Sequence, residues 1–348
     1  MKWLLRMIFT LVIIVGWVIV TYVYANFTLG SEKRDQPVEV EIIKDMTIAE
    51  IGTLLKEKGL IREKYFFRYY AMYKKKTNLK AGVYEVEPGE SLDQMLDRFV
   101  EGKESKISVT IPEGLNAAQI ADKLKEEGLD SEGFLKALNT KEPKYAFEKQ
   151  IPNDRQRKYK LEGYLFPSTY KFRKDEKPEN IVNAMLEQFQ VRLDKLNWDQ
   201  QLKNESLPKN WSIDQVIIVA SLIEKEGQVR SELPRIAGVI YNRLEKEPRL
   251  LQVDAWYHYY LSMRGEALKK PDKHTKNIES PYNNYKNPGL PPGPICSPSE
   301  KAIHAALSPE NHQYFFYVTK SDGSQEHYFA KTNEEHLKNI KKSNANEK

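Results

Sequence analysis

The chain has 348 residues, room for one large or two modest domains, and a hydrophobic content of 40%, which excludes disorder by composition. Its formal charge of +5 is spread along the sequence, without zinc-ligand spacing or an aromatic–basic RNA motif, so nucleic acid is not expected as a partner. The single cysteine, Cys296, excludes an internal disulfide and a cysteine-based metal cluster.

Residues 1–6 carry Lys2 and Arg6 and precede an uncharged, largely apolar run from Met7 to Tyr24, about 27 Å long as a helix. That length spans a bilayer. The basic flank assigns the N-terminus to the cytoplasm and everything after Asn26 to the far side. We therefore expect a single-pass cell-membrane anchor over residues 7–25, followed by a short polar stalk over 26–37. The rival reading is a cleaved signal peptide ending at Val23-Tyr24-Ala25, although the apolar core is longer than such leaders usually carry.

Beyond the stalk lies an internal repeat. Ile51-x-x-x-Leu55-Lys56-Glu57-Lys58-Gly59-Leu60 recurs as Ile120-x-x-x-Leu124-Lys125-Glu126-Glu127-Gly128-Leu129, each preceded by a short alternating strand, Val38–Ile43 and Ile107–Ile111. A third, weaker copy runs from Val83 through Leu92, Met95, Leu96 and Phe99 to Gly102. Each unit reads as strand, turn and amphipathic helix, with glycine stopping the helix. Tyr65, Phe66, Phe67, Tyr69, Tyr70 and Tyr73 form an aromatic cluster that can stack on sugars, although helical spacing assigns about half of it to a core. Residues 141–160 read as a charged connecting loop. Asn180–Leu196 reads as a helix with Ile181, Met185, Phe189 and Leu193 on one face, and Tyr314–Thr319 and His327–Ala330 as aromatic strands.

Trp211–Gly227 carries the strongest chemical signal. Ser212 and Gln215 form a capping-box pattern, Val216–Ile223 is almost wholly apolar, and Glu224 falls in the last turn. Apolar surroundings and the negative end of the helix dipole both disfavour its ionised form, which suits a general acid. The structural alternative is that Glu224 pairs with Lys225 or an arginine such as Arg243 and only closes the helix. Glu226 lies about 200° away on the helical wheel, so the two acids do not face each other, and it is the competing candidate for the acid. His304, His327 and His336 have no metal-ligand spacing, and no metal or cofactor is expected.

Four further segments have the character of site loops: Leu161–Tyr170, Asn242-Arg243-Leu244 leading to Leu251-Gln252-Val253-Asp254, Ser280–Tyr285, and Gly289-Leu290-Pro291-Pro292-Gly293-Pro294-Ile295. Together with Ala220–Glu226, and in this order, they resemble the endolytic murein transglycosylase, or YceG-like, family over nearly the whole chain. Ser168 stands where that family often has an acid, and Ser299 where it has a glycine. The small βα units resemble LysM-like modules, with a spacer or docking platform as the alternative.

The resemblance implies an α+β architecture: transmembrane helix 7–25, LysM-like module 38–105, catalytic domain 106–338 opening on a further βα repeat at 106–140, and a polar tail over 339–348. It also implies lytic cleavage between N-acetylmuramic acid and N-acetylglucosamine with a 1,6-anhydromuramyl end, on nascent peptidoglycan beside the synthesis machinery. The family's catalytic glutamate carries over to Glu224. Supporting or substrate-binding candidates are Glu162, Tyr164, Gln252, Asp254, Tyr282 and Asn283, with Glu162 alternatively capping a turn. Two rivals stay open. One is a muramidase-type hydrolase, which needs a second carboxylate such as Glu162 or Asp254. The other is a glycan-binding scaffold without activity.

Overall fold

The computed structural model describes residues 35–102, 106–204, 207–272 and 274–346, with residues 3, 7, 9–11 and 13–17 near the N-terminus. Most of the expected span over 7–25 and of the stalk over 26–37 lies outside the described residues. Among those described, no helix is long and apolar enough to cross a membrane. Among the described residues the fold is α+β, with three two-stranded sheets and many helices, and the chain divides into two compact units, Met1–Ile107 and Ser108–Lys348.

In the first unit, β1 (Val38–Ile42) pairs antiparallel with β2 (Gly82–Val86), placing Val40 opposite Tyr84 and Val38 opposite Val86. Strand alternation turns Val40, Ile42, Tyr84 and Val86 to one face. That face is buried in one core with apolar residues of α1 (Ile48–Glu57), α2 (Lys64–Tyr73) and α3 (Leu92–Glu101). Thr47 and Ser91 start α1 and α3 with capping boxes completed by Glu50 and Gln94. Where α1 passes α2 only glycine fits, because a Cβ on Gly52 would meet the Lys64 carbonyl at 2.9 Å.

The second unit opens with the same order of elements. β3 (Ile107–Ile111), α4 (Ala117–Glu126) and α5 (Ser131–Thr140) are followed, after a long connection, by β4 (Ser168–Phe172) and α6 (Pro178–Lys195), with β4 paired to β3. The repeated unit is therefore strand–helix–helix–strand–helix, present twice. Its last strand and helix escape sequence comparison because residues 141–167 displace them and because α6 begins on Pro178 rather than on a Ser, Thr or Asn cap.

After the short α7 (Trp198–Gln201) comes the central helix α8 (Ile213–Glu226), whose residues from Val216 to Ile223 are all buried. It packs against α9 (Leu233–Glu245), α10 (Ala255–Met263) and α11 (Glu300–Leu307). The hairpin β5 (Phe316–Thr319) and β6 (His327–Ala330) follows, with Tyr317 opposite Phe329, and α12 (Asn333–Asn346) packs on it. Residues 339–346, expected as a polar tail, continue this helix; its low hydropathy hides a docked face on which Ser343 donates to the Thr319 carbonyl at 2.7 Å.

A buried polar cluster fixes the start of α8. The Arg157 guanidinium grips both Asp214 oxygens, at 2.9 Å from Nη1 to Oδ1 and closer from Nη2 to Oδ2, and the Tyr164 hydroxyl donates to Oδ1 at 2.6 Å. Glu162 is equally buried and accepts from the Ala117 amide at 3.1 and 3.2 Å, capping α4. Burial pushes its carboxyl from 4.5 up to about 8.

Two stability predictions follow from these buried groups. Asp214→Ala strands the Arg157 charge in the interior and is expected to cost about 3–5 kcal/mol in urea unfolding. The unfolded Glu162 carboxyl ionises near 4.5 and the folded one only near 8, so its contribution is complete below the lower value and is lost as pH rises through this window. Glu162→Gln should therefore flatten the pH dependence of thermal unfolding between those limits, and a slope equal to that of the parent would refute the assignment.

Candidate active site

The last turn of α8 sends its two acids to different places. The side chain of Glu224 is 4% exposed and carries three donors: Arg230 Nη1 at 3.0 Å, the Ser299 amide at 3.1 Å and the Ser299 hydroxyl at 2.6 Å. Ser299 is itself the N-cap of α11, and Arg230 also holds Glu113 at 2.6 Å. Glu224 thus forms a buried ion pair at a helix junction, as in the structural alternative, but with Arg230 instead of Lys225 or Arg243. The partner lies six residues beyond it in the 3-10 turn Arg230–Glu232, and helical periodicity carries no information about a residue outside the helix.

Glu226 faces a cleft of about 510 Å³. The cleft is bounded by the end of α8, the loop bearing Gln252 and Asp254, Lys276 and Tyr285, the β5–β6 hairpin, and His336 of α12. The Tyr317 hydroxyl donates to Glu226 Oε2 at 2.9 Å. Burial raises the proton affinity of Glu226 and the charge of Asp254 adds to this, against the opposing pull of Tyr317, His327 and the Ala255 amide. Asp254 is exposed to the cleft and accepts from the Tyr285 hydroxyl at 2.7 Å. Gln252, also exposed, sits in the left-handed region at φ 52°, held where its amide donates to the Asn284 carbonyl at 3.2 Å.

The walls of the cleft are tied together by Arg243, His327 and His336. Arg243 donates from Nε to the Phe315 carbonyl at 2.6 Å and from Nη1 to the Leu251 carbonyl, and lies over the Phe316 and Tyr317 rings. It joins the Gln252 loop to β5 rather than pairing with Asp254. His327 Nδ1 lies 2.8 Å from Glu232, whose carboxylate also accepts the His327 amide. His336 stacks on Phe316 at 5.1 Å, and burial lowers its pKa.

The remaining sequence candidates are structural. Glu162 reaches neither Glu224 nor the cleft, because both its oxygens face the start of α4. Tyr164 is fully buried between Asp214 and the rings of Phe147 and Phe189. Tyr282 packs on Tyr259, with ring centres 4.9 Å apart. Asn283 is buried, donating to the carbonyls of Lys276 and Ile278 and accepting from the Tyr285 amide, and so holds Tyr285 toward Asp254. The proline-rich turn is packing as well: a Cβ on Gly163 would meet Pro294 at 2.4 Å, and the Ile295 amide donates to Ser221 on α8. Gln252 and Asp254 alone among the supporting candidates line the cleft with Glu226. Tyr317 and Tyr285 are not among the sequence candidates, and their signal in the sequence is a tyrosine in the aromatic strand Tyr314–Thr319 and another in the site loop Ser280–Tyr285. No group of three His, Cys, Asp or Glu side chains able to hold a metal occurs among the described residues.

A model of the YceG-like family matches residues 40–342. The chain is 32% identical over 346 residues to a Bacillus subtilis protein named endolytic murein transglycosylase, covering 94% of this chain and 91% of that one. It is 32% identical over 326 residues to a protein of the same name from Streptococcus pneumoniae, covering 87% of this chain but 58% of the longer relative. A crystal structure of a yceG-like protein from Listeria monocytogenes is similar at a TM-score of 0.57 and 33% identity, over 88% of this chain and 99% of that one. The family match across almost the whole described chain, with relatives of this identity, places the chain in the YceG-like family.

Proposed function

We propose that the protein is a lytic transglycosylase that cuts peptidoglycan glycan strands internally, with Glu226 as its acid and base. The observation that carries this reading is a protonatable carboxyl, Glu226, held by Tyr317 inside an open polar cleft, while Glu224 is locked in an ion pair. Relatives named endolytic murein transglycosylase support the substrate class.

In this mechanism neutral Glu226 gives its proton to the glycosidic oxygen between N-acetylmuramic acid and N-acetylglucosamine as the C1–O bond breaks. The carboxylate left behind takes the proton of the muramyl C6 hydroxyl as that oxygen closes on C1. The product is a 1,6-anhydromuramyl end, and Glu226 is neutral again without water having been consumed. Tyr317 steadies the transient carboxylate. Asp254 disfavours that carboxylate in the resting state and offers negative charge to the oxocarbenium-like centre. Asp254 also supports a second reading, a hydrolase in which it activates water across the sugar.

We assign the cell-membrane location to residues 7–25 as a single-pass anchor with the catalytic unit outside. The sequence of that run supports it, as does the exposure of Phe9, Leu11, Ile13, Ile14 and Trp17 in the helical residues described there. A short stalk would keep the enzyme on nascent strands beside the synthesis machinery, where cleavage ends elongation. The βα units of the first module act as LysM-like contacts to the glycan.

Mass spectrometry of glycan strands digested with the full chain tests the chemistry. Anhydro ends are expected; reducing ends would establish the hydrolase, and no cleavage would leave a scaffold. Glu226→Gln should lower turnover by roughly a hundredfold or more. Glu224→Gln should lower stability while leaving product per folded molecule nearly intact, and the reverse pattern would return the acid to Glu224. Tyr317→Phe removes a donor that favours ionised Glu226, so the limb of the pH–rate profile on which the acid loses its proton should move to higher pH.

A further inference from the structure

The outer face of α2 is not accounted for by the fold. Tyr65, Tyr69 and Tyr73 are 68%, 68% and 81% exposed, and Met72 is 53% exposed. The tyrosines recur every four residues and so form one stripe along the helix, while Phe67 and Ala71 on the opposite side are buried in the unit's core. Cations accompany the stripe. Lys64 sits over the Tyr65 ring at 5.5 Å, and Arg68 and Lys75 are exposed. None of these three has an acidic partner among the described residues, whereas neighbouring Lys74 and Lys76 are held by Asp93 and Asp97 at 2.9 and 2.7 Å.

Contiguous aromatic surface of this kind is rarely left to water. A sugar site would set its rings in a concavity beside amides and carboxylates. Here the rings stand on the convex side of a helix, interleaved with unpaired cations. Tyrosine with lysine and arginine is the composition that settles at the headgroup level of a bilayer, the ring partly immersed and the cation reaching lipid phosphate. The chain between Ala25 and Val38 reaches at most about 45 Å, which keeps the unit close to any membrane that holds residues 7–25.

From this we infer that the outer face of α2 docks on an anionic lipid surface and lays the first unit against the membrane. The inference rests on the reading of residues 7–25 as an anchor. Docking replaces a freely swinging tether by two attachment points, so the first unit serves as a base plate. Each cation near an anionic surface strengthens such adsorption roughly fivefold.

The test uses the full chain in vesicles of phosphatidylcholine and phosphatidylglycerol that carry a nitroxide on the lipid headgroup. Tyr69→Cys takes an environment-sensitive fluorophore, since the native Cys296 is buried. Glu41→Cys, on the exposed side of β1, is the control. The label at position 69 should be quenched strongly and the one at 41 weakly. Salt, phosphatidylcholine alone, or Arg68→Glu with Lys75→Glu should relieve that quenching, the charge reversals weakening docking by roughly tenfold or more. Equal quenching at the two positions in protein that pellets with the vesicles overturns docking alone, and relief by soluble glycan strands instead of salt makes the stripe a sugar site. Protein that does not stay with the vesicles overturns the anchor and the docking together.

Discussion

The site depends on the rotation of α8 about its own axis. From Val216 to Ile223 the helix is buried on all sides, so apolar packing by itself gives it no preferred face. Polar attachments supply the missing specification. Asp214 is gripped by Arg157 and Tyr164 in the first turn, Ser221 accepts the Ile295 amide in the middle, and Glu224 closes on Arg230 and Ser299 in the last turn. With the helix pinned at these points, Glu226 must emerge on the side where Tyr317 waits. A turn of one residue, about 100°, would put Lys225 in its place.

These attachments explain why two glutamates so close in sequence meet different surroundings. Glu224 is satisfied by a guanidinium and two donors from a helix N-cap, which tie the end of the helix to its neighbours. Glu226 has a neutral phenol as its side-chain donor and a second carboxylate nearby, and burial raises its proton affinity above that of an ordinary glutamate. Reactivity goes with the less satisfied group.

What was legible in the sequence was local. The capping box at Ser212, the alternation in β1 and β3, and the apolar run of α8 are set by neighbours a few residues apart, and all of them are present. Periodicity also separated the faces of Glu224 and Glu226. It could not say which face meets a cleft, because that is decided by Arg230, the Gln252 loop and the β5–β6 hairpin, which arrive from elsewhere in the chain. Glycine- and proline-rich segments misled for a related reason. Gly163 and Pro294 are there so that two loops can touch at a distance no side chain would allow, and unusual backbone composition serves close packing as readily as it serves a ligand.

The contrast between Glu226 and Asp254 also bears on which nucleophile completes the reaction. A hydrolase needs its second carboxylate to be a base with a water in hand, but Asp254 already has one oxygen occupied by the Tyr285 hydroxyl, and Tyr285 is fixed by buried Asn283. A carboxylate restrained this way is better suited to standing charge than to proton transfer. It raises the proton affinity of Glu226 before bond cleavage and opposes the positive charge that grows at C1 during it. On the proposed assignment, once the leaving group has taken the proton, the group in the cleft best able to act as a base is Glu226 itself. A base that sits on the leaving-group side favours an oxygen delivered from that side, and the muramyl C6 hydroxyl is tethered there at an effective concentration that free water does not match. In the proposed mechanism, ring closure follows from the asymmetry of the two carboxylates, without any need for the cleft to exclude solvent completely.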